Sequence, residues 1–418
     1  MLKTKIAIID ADLIGRKSQR FPNLACMKLS AYYKKLGNEV SLVVSYRDLF
    51  SKYIELPQDI DPDFDFSMLD DVTKKRYVRY YREQDIMFDK IIISKVFLDT
   101  PVPIQIQYLP ITEYGGTGFF YDKAEQLQYD IEHIMPDYHL YDNWVKNQIL
   151  NGVKPKKLEY YTDYSIGFTT RGCIRQCSFC VNKNYKQANL HSPINEFLDK
   201  DRKYICLLDD NVFACKDWKS IFGKLNNSGK RFQYKQGLDE RLLTDEKCKI
   251  LFNSKWIGDY IFAFDNIKDK ELIESKLKLI RKHTNKVLKF YTFCGFNHDN
   301  PDYYPKEFWK QDIIDLFERI IILMKYNCKP YIMRYKDYEI SPYKGIYINI
   351  AQWCNQPQFF NKLSYLEMCN KDNERKGGNS ATKRYNDYFI EENSDVAEKY
   401  FNLRLKDVIC LEYALKKH

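Results

Sequence analysis

The sequence predicts an α/β protein: a small domain with a parallel sheet, followed by a partial barrel of six strand–helix units. Two observations predict this fold. Short apolar, β-branched stretches alternate with longer amphipathic stretches along most of the 418 residues. Polar residues also follow directly after most of the predicted strands, as they do at the carboxyl ends of barrel strands, where functional groups lie.

The first domain is predicted over residues 1–135. Its strands are expected within 3–13, 39–44 and 90–96, with a helix at 24–36 that ends at Gly37. Strands in alternation with helices indicate a parallel sheet. The charged stretch 61–82 is predicted to be an exposed helical insertion, and residues 136–163, with their turn-forming residues, to be a linker.

Residues 113–118 (Glu-Tyr-Gly-Gly-Thr-Gly) are the most glycine-dense point of this domain. Glycines permit close backbone approach, so a phosphate or a nucleotide is one interpretation of the segment. An ordinary tight loop is the other interpretation, because a single Gly-Gly-x-Gly is a weak motif.

The barrel is predicted over residues 164–345, with residues 346–418 as a C-terminal capping segment. Its strands are expected at 165–170, 204–209, 231–236, 260–265, 289–294 and 330–334, and its helices near 193–200, 216–226, 243–253, 268–283 and 308–326. Residues 341–360 are expected to form a polar and aromatic loop, which either closes over a substrate or packs against the barrel.

Composition limits the function. The net charge of +9 comes from basic residues that are interleaved with acidic ones, which permits a phosphorylated substrate but predicts no stable binding to nucleic acid. The sequence contains no run of 18 apolar residues and no signal-peptide pattern near its start, so we expect a cytoplasmic protein without a membrane segment. The 12 cysteines are mostly scattered singly, as reduced thiols are.

Cys173, Cys177 and Cys180 are the exception, because they fall at C-x3-C-x2-C directly after a predicted strand. Three thiolates on one loop suit a [4Fe–4S] cluster, which usually takes four cysteines; the missing fourth would leave one iron open to bind another group. A structural zinc site, with His191 or a distant cysteine as the fourth ligand, is the alternative. Zinc sites more often show two closely spaced cysteine pairs, and the sequence has no second pair.

These cysteines, with Phe179 before the last of them, resemble the signature of the radical S-adenosylmethionine (SAM) superfamily. The resemblance implies a partial TIM barrel, a SAM molecule that chelates the open iron, and an electron donor such as flavodoxin or ferredoxin. It also implies reductive cleavage of SAM to a 5′-deoxyadenosyl radical that abstracts a substrate hydrogen.

The first domain resembles the Rossmann-like domain in front of the barrel of cobalamin-dependent radical SAM enzymes. That family binds its cofactor through a histidine in Asp-x-His-x-x-Gly, whereas the first histidine here is His133, so we do not expect cobalamin bound by that motif. Methylthiotransferases carry three cysteines in their leading domain, and here only Cys26 precedes Cys173, so that activity is not expected either.

The resemblance also suggests which residues bind SAM. The end of the second barrel strand recognises the amino group of SAM in that family, which points to Asp210 and Asn211; capping of a following helix is the alternative. After the later strands, the predicted contacts are Gln236 with the ribose, Arg241 with the carboxylate, Asp265, and Gly295 near the adenine. Asp239 or Glu240 could instead hold Arg241 in a structural ion pair.

The whole chain is similar to the radical SAM queuine lyases of queuosine salvage, which release queuine from queuosine 5′-phosphate. The resemblance therefore implies a lyase with a small-molecule substrate of the modified-nucleotide type. Two alternatives stay open: a radical SAM enzyme that modifies tRNA or a peptide, and a non-catalytic protein that binds zinc or nucleic acid.

Overall fold

The computed structural model describes residues 3–17, 19–51, 69–73, 86–182 and 185–413. The chain divides into two compact units. Unit 1 comprises Met1–Thr169, Cys180–Asn184 and His191–Cys206, and unit 2 comprises Thr170–Phe179, Tyr185–Leu190 and Leu207–His418. Most of the predicted helical insertion at 61–82 lies outside the described residues.

In chain order, the strands of the described residues are β1 (Lys5–Asp10), β2 (Glu39–Leu42), β3 (Lys90–Ser94), β4 (Thr112–Gly115), β5 (Tyr164–Gly167), β6 (Thr170–Arg171), β7 (Asn189–Leu190), β8 (Tyr204–Leu207), β9 (Arg231–Tyr234), β10 (Tyr260–Ala263), β11 (Leu288–Cys294) and β12 (Cys328–Arg334). The α-helices of unit 1 within the same residues are Ala11–Gly15, Leu24–Lys35, Ile104–Gln107, Thr117–Phe120, Tyr129–Glu132, Asp142–Leu150 and Glu159–Thr162. Those of unit 2 are Trp218–Asn227, Asp245–Asn253, Lys270–Arg281, Lys306–Lys325, Lys344–Asn355, Pro357–Phe360, Tyr365–Arg375, Ala381–Glu392, Ser394–Tyr400 and Leu405–Val408.

Unit 1 contains a parallel sheet with the strand order β2-β1-β3-β4. Successive side chains of a strand point to opposite faces, so each strand of a sheet that is covered on both sides must be apolar throughout. In β1, Ile6 and Ile8 belong to one buried cluster and Ala7 and Ile9 to another. The continuous apolar stretch at the start of the sequence therefore reflects a sheet buried on both faces.

One face of this sheet is covered by residues from the segment predicted to be a linker. Tyr138, Tyr141 and Tyr161 are buried against Ile6, Ile8 and Ile92 in one cluster. The helix Leu24–Lys35 covers the same face through Cys26 and Met27. It ends where Gly37 adopts a φ of +87°, as the sequence predicts for a helix C-terminus.

Unit 2 repeats strands and helices in the predicted order. β10, β11 and β12 are parallel neighbours, and a parallel bridge between Leu238 and Phe262 joins the chain after β9 to β10. The backbone N–H of Lys235 donates to the carbonyl of Leu207, so the end of β8 lies beside the end of β9. The predicted α/β class with parallel sheets is confirmed.

Two expectations for local structure are wrong. Residues 341–360 form the helix Lys344–Asn355 rather than a loop, because Tyr347, Ile350 and Trp353 supply an apolar stripe that is buried against the helix Lys306–Lys325. The helix expected at 193–200 is only the short 3₁₀ turn Ile194–Glu196.

Two buried arginines bind opposite ends of the β10–β12 sheet. Arg319 donates to three carbonyl oxygens. Those of Phe264 and Asp265 lie just beyond β10, and that of Phe293 lies at the end of β11. Arg281 donates to the carbonyls of Tyr326 and Asn327, just before β12. A buried carbonyl group at the end of a strand has no partner in the neighbouring strand, so it must accept its hydrogen bond from another donor. No helix of the described residues is long and apolar enough to cross a bilayer.

Candidate functional site

The cysteine motif follows the short antiparallel pairing of β6 with β7, in which Thr170 lies opposite Leu190. Gly172 comes next, with a φ of +99°, and a Cβ at this position would collide with the carbonyl of Gln187. A residue with a side chain is therefore excluded there by both backbone conformation and space. Gly172 is therefore structurally required where the chain leaves β6.

The three cysteines of the motif are partly exposed, whereas the other cysteines, apart from Cys410, are buried. The Sγ of Cys173 accepts a hydrogen bond from the backbone N–H of Arg175 at 3.4 Å, and the Sγ of Cys180 accepts one from that of Asn182 at 3.4 Å. Hydrogen bonds to sulfur stabilise thiolates and tune the clusters that they bind.

Three partly exposed thiols, two of which accept N–H hydrogen bonds at sulfur, are ligands of the kind that an iron–sulfur cluster takes. Among the described residues, no three His, Cys, Asp or Glu side chains lie close enough together to hold a metal ion. The cluster is therefore proposed below from the spacing of the cysteines and the hydrogen bonds of their sulfurs.

Three consecutive polar residues after β8 bind the cysteine loop. The Asp209 carboxylate accepts hydrogen bonds from the N–H and hydroxyl of Thr170, at 2.6 and 2.7 Å. Asp210 accepts from the N–H of Gly172 at 2.9 Å, and the Nδ2 of Asn211 donates to the Sγ of Cys173 at 3.4 Å. These residues therefore fix the start of the loop in place.

Asn211 was predicted either to contact SAM or to cap a helix. It precedes a 3₁₀ turn, but within the described chain its side chain makes no capping hydrogen bond. Its Oδ1 is buried, with no hydrogen-bond partner among the described residues. A buried amide oxygen beside Cys173 is suited to accept a hydrogen bond from an ammonium group.

Asp239 is the centre of a charged network at the end of β9. Its carboxylate accepts from Arg175 Nε at 2.7 Å, from Arg241 Nε at 2.8 Å and from Asn211 Nδ2 at 3.1 Å. Arg241 also donates to Asp269 at 3.0 Å. Burial opposes ionisation of Asp239, but the hydrogen bonds from the two arginines outweigh it and lower its pKa.

The network connects the cysteine loop to the strand ends, because Arg175 lies between the first two cysteines. The sequence left open whether Arg241 forms a structural ion pair with Asp239 or with Glu240. In the structure Arg241 pairs with Asp239. Sequence reasoning missed Arg175 and Asp209 as functional residues. Their positions, inside the cysteine motif and next to Asp210, were the available signals.

Two further carboxyls near these strand ends have raised pKa values. Glu240 is fully buried, and burial raises its pKa to about 8; its Oε2 accepts from the N–H of Ala263 at 3.1 Å. Burial likewise raises the pKa of Asp265 to about 6, and its Oδ1 accepts from the N–H of Phe293 at 3.2 Å. At neutral pH Glu240 is therefore mainly uncharged.

Phe179 lies in an aromatic cluster at the end of β11. Its ring centroid is 4.2 Å from that of Phe293, 5.7 Å from Phe296 and 5.9 Å from His298. Burial, followed by the nearby Arg319, lowers the pKa of His298, so its imidazole is neutral at pH 7. The predicted aromatic residue of the motif thus anchors the loop through ring contacts.

Three predicted contacts, Gln236, Asp265 and Gly295, lie apart from the network. Gln236 is exposed, two residues beyond β9. Gly295 is buried directly after β11 with a φ of +76°, its N–H donates to Asp312 at 2.8 Å, and a Cβ would approach Tyr338. The structure thus connects Phe179, Asp210, Asn211 and Arg241 with the cysteine loop or its network, and places Gln236, Asp265 and Gly295 at the ends of neighbouring strands.

No family model matches the chain, and no curated protein is significantly similar to it. Similar solved structures include those of the cobalamin-dependent S-adenosylmethionine radical enzyme OxsB. The form with aqua-cobalamin and SAM bound shares 11% identity with a TM-score of 0.36, and the apo form 10% with a TM-score of 0.34. The alignments cover 97% of this chain but 58% of the OxsB chain, so the chain spans less than two thirds of OxsB.

Proposed function

We propose that the protein is a radical SAM enzyme in which Cys173, Cys177 and Cys180 hold a [4Fe–4S] cluster and SAM takes the open iron. The supporting observation is the network of Asp239 with Arg175, Arg241 and Asn211, which fixes the cysteine loop at the strand ends. Binding groups at the carboxyl ends of successive parallel strands are typical of barrel enzymes.

In this proposal, the cluster and SAM would supply an electron and a 5′-deoxyadenosyl radical. The protein positions the cofactors and excludes water. The free Oδ1 of Asn211 would accept a hydrogen bond from the amino group of SAM, and the rings around Phe179 would shield the cluster. Gln236, Arg241, Asp265 and Gly295 stay predicted contacts of SAM.

The decisive experiment is anaerobic reconstitution with iron and sulfide, followed by EPR of the reduced protein with and without SAM. We expect a [4Fe–4S]⁺ signal that changes when SAM is added, and reductive release of 5′-deoxyadenosine. A protein that binds no cluster, or a cluster whose signal SAM leaves unchanged, would contradict the proposal.

Within this class, we propose that the substrate is queuosine 5′-phosphate and the product queuine. This proposal rests on the general resemblance of the chain to queuine lyases, not on a shared motif or a significant match, and on the chemical argument that abstraction of a ribose hydrogen can trigger loss of the base. Queuine released by the reconstituted enzyme would be detected by mass spectrometry. If the enzyme cleaves SAM but releases no queuine, the substrate assignment is wrong and the radical SAM assignment stands.

The competing functions make different predictions. A zinc protein would contain zinc without iron or sulfide; against it, the two ring nitrogens of His191 contact Ser192 and Glu132. An enzyme acting on tRNA or a peptide would retain that macromolecule in a gel-shift or pull-down experiment.

A further inference from the structure

The side-chain amide of Asn211 is held in one of its two orientations. Its Nδ2 donates to the Sγ of Cys173 at 3.4 Å and to the Oδ2 of Asp239 at 3.1 Å. An amide nitrogen carries two N–H groups, and a carboxylate oxygen and a thiolate sulfur are both acceptors, so each N–H has one partner. In the reversed orientation the amide oxygen would face these two acceptors, with no donor between them. The hydrogen bonds therefore define which end of the amide faces the cysteine loop.

Asp239 is the partner that enforces this orientation. An ionised carboxylate only accepts hydrogen bonds, whereas a thiol can also donate one. Arg175 donates to the Oδ2 of Asp239 at 2.7 Å, and Arg241 donates to its Oδ1 at 2.8 Å. Both cations favour the ionised carboxylate and hold it in place. The Oδ2 next to Asn211 is therefore a fixed acceptor, and the amide must turn its nitrogen toward it.

The same orientation leaves the amide oxygen of Asn211 without a partner. The residue is 4% exposed, and within the part of the chain that the structure describes its Oδ1 accepts no hydrogen bond. Buried polar side-chain atoms are nearly always hydrogen-bonded in native proteins, so each exception requires an explanation. A ligand that brings an N–H group to the cysteine loop would supply the missing donor.

The amino group is the part of the methionine end of SAM that suits this oxygen. Its N–H groups donate hydrogen bonds, whereas the carboxylate of SAM only accepts them and would be repelled by an amide oxygen. The amide that carries the oxygen also donates to the Sγ of Cys173, one of the proposed cluster ligands. The unpartnered acceptor therefore lies beside the cysteine loop, where the proposed function requires SAM to bind.

We propose that Asp239 is a positioning residue, which fixes the amide of Asn211 so that its Oδ1 accepts a hydrogen bond from the amino group of SAM. This inference rests on the proposed function, because it requires SAM at the cysteine loop. Asp239 acts through Asn211 and does not itself bind SAM. In Asp239→Asn the new amide can donate as well as accept, so it also accommodates the reversed amide of Asn211. The reversed amide would turn its N–H groups toward the amino group of SAM, and two donors form no hydrogen bond.

Anaerobic calorimetric titration of the reconstituted full chain with SAM, and with its analogue that lacks the α-amino group, tests this inference. In Asp239→Asn we expect the ratio of the two affinities to fall about tenfold, while the content of iron and sulfide stays that of the wild type. The matched control is Asp269→Asn. It makes the same change at another carboxylate of the network, one that accepts from Arg241 at 3.0 Å, and should keep the ratio of the wild type.

A second variant, Asn211→Ala, removes the acceptor itself and should lower the ratio by a similar factor, even if Asp239→Asn does not fold. Circular dichroism and thermal unfolding establish whether each variant is folded. A wild type that binds neither a cluster nor SAM overturns this inference together with the proposed function. If the wild type binds both, an unchanged ratio in either folded variant, or an equal fall in Asp269→Asn, overturns this inference alone.

Discussion

The charged network around Asp239 in unit 2 and a cavity of unit 1 are organised in opposite ways. In the network, buried and half-buried charges satisfy one another: Asp239 joins Arg175 and Arg241, and Asp209 and Asp210 bind the backbone of Thr170 and Gly172. The cavity, of about 590 Å³ between the helix Leu24–Lys35 and the ends of β3 and β4, stays unfilled, and a Cβ built on Gly115 there would meet nothing within 4 Å. Paired polar groups hold a segment in one geometry, whereas an unfilled space imposes no such constraint on the residues around it.

The largest effect is expected from removing the thiols of the loop. Cys173→Ser/Cys177→Ser/Cys180→Ser should abolish cluster binding and lower SAM cleavage more than about 100-fold, because the proposed iron ligands are lost. Iron and sulfide analysis with EPR measures this. The control is Cys410→Ser, at a partly exposed cysteine outside the motif, and this variant should bind as much iron and sulfide as the wild type. Retention of the cluster by the triple variant would refute the ligand assignment.

The second-largest effect is expected from disrupting the charged network around Asp239. Asp239→Ala leaves Arg175 and Arg241 without their shared carboxylate, which is 5% exposed, and should lower the free energy of unfolding by roughly 3 kcal/mol. Urea denaturation measures the loss. Asp299→Ala, which removes an exposed partner of Lys268, is the control and should leave the denaturation midpoint unchanged. Equal midpoints for the two variants would show that the network does not stabilise unit 2.

A smaller effect should come from Asn211→Leu, which removes the N–H donor to the Sγ of Cys173 and the buried Oδ1. We expect roughly tenfold weaker iron binding, the usual size of losses around a metal site, and a smaller EPR response to SAM. Chelator competition measures the first and EPR the second. If both are unchanged, Asn211 only packs against the loop.

The smallest effect concerns pH. The pKa of Glu240 is about 8 in the folded protein, whereas its ordinary value, which applies to the unfolded chain, is 4.5. Between these two pH values the folded state therefore binds one proton that the unfolded state has released. Stability should therefore fall as pH rises through this window, by up to about 1.4 kcal/mol per pH unit. Glu240→Gln cannot ionise and should flatten the slope between pH 6 and 8 in urea titrations. An unchanged slope would assign the pH dependence to other groups, such as Asp10 of unit 1, whose pKa burial raises to about 7.

The sequence by itself determined the order of strands and helices. The apolar runs at β1 and β3 and the stripe of the helix Lys306–Lys325 follow from local periodicity, which depends only on neighbours along the chain. It also determined the cysteine motif, since the spacing of residues along the chain is a local property. The prediction of a loop at 341–360 was wrong because polar residues there lie between the apolar ones. Their mixture hides the helical spacing of Tyr347, Ile350 and Trp353, which are buried in the core.

Only the tertiary structure decided the partners of the polar groups. Asp239 and Arg175 are far apart in sequence, and nothing in either residue type shows that they pair. It likewise decided that Asp209, Asp210 and Asn211 hold the cysteine loop, and that Gly115 borders a cavity while Gly116 meets a carbonyl. Side-chain contacts depend on which strand ends lie side by side, and that arrangement is a property of the folded chain.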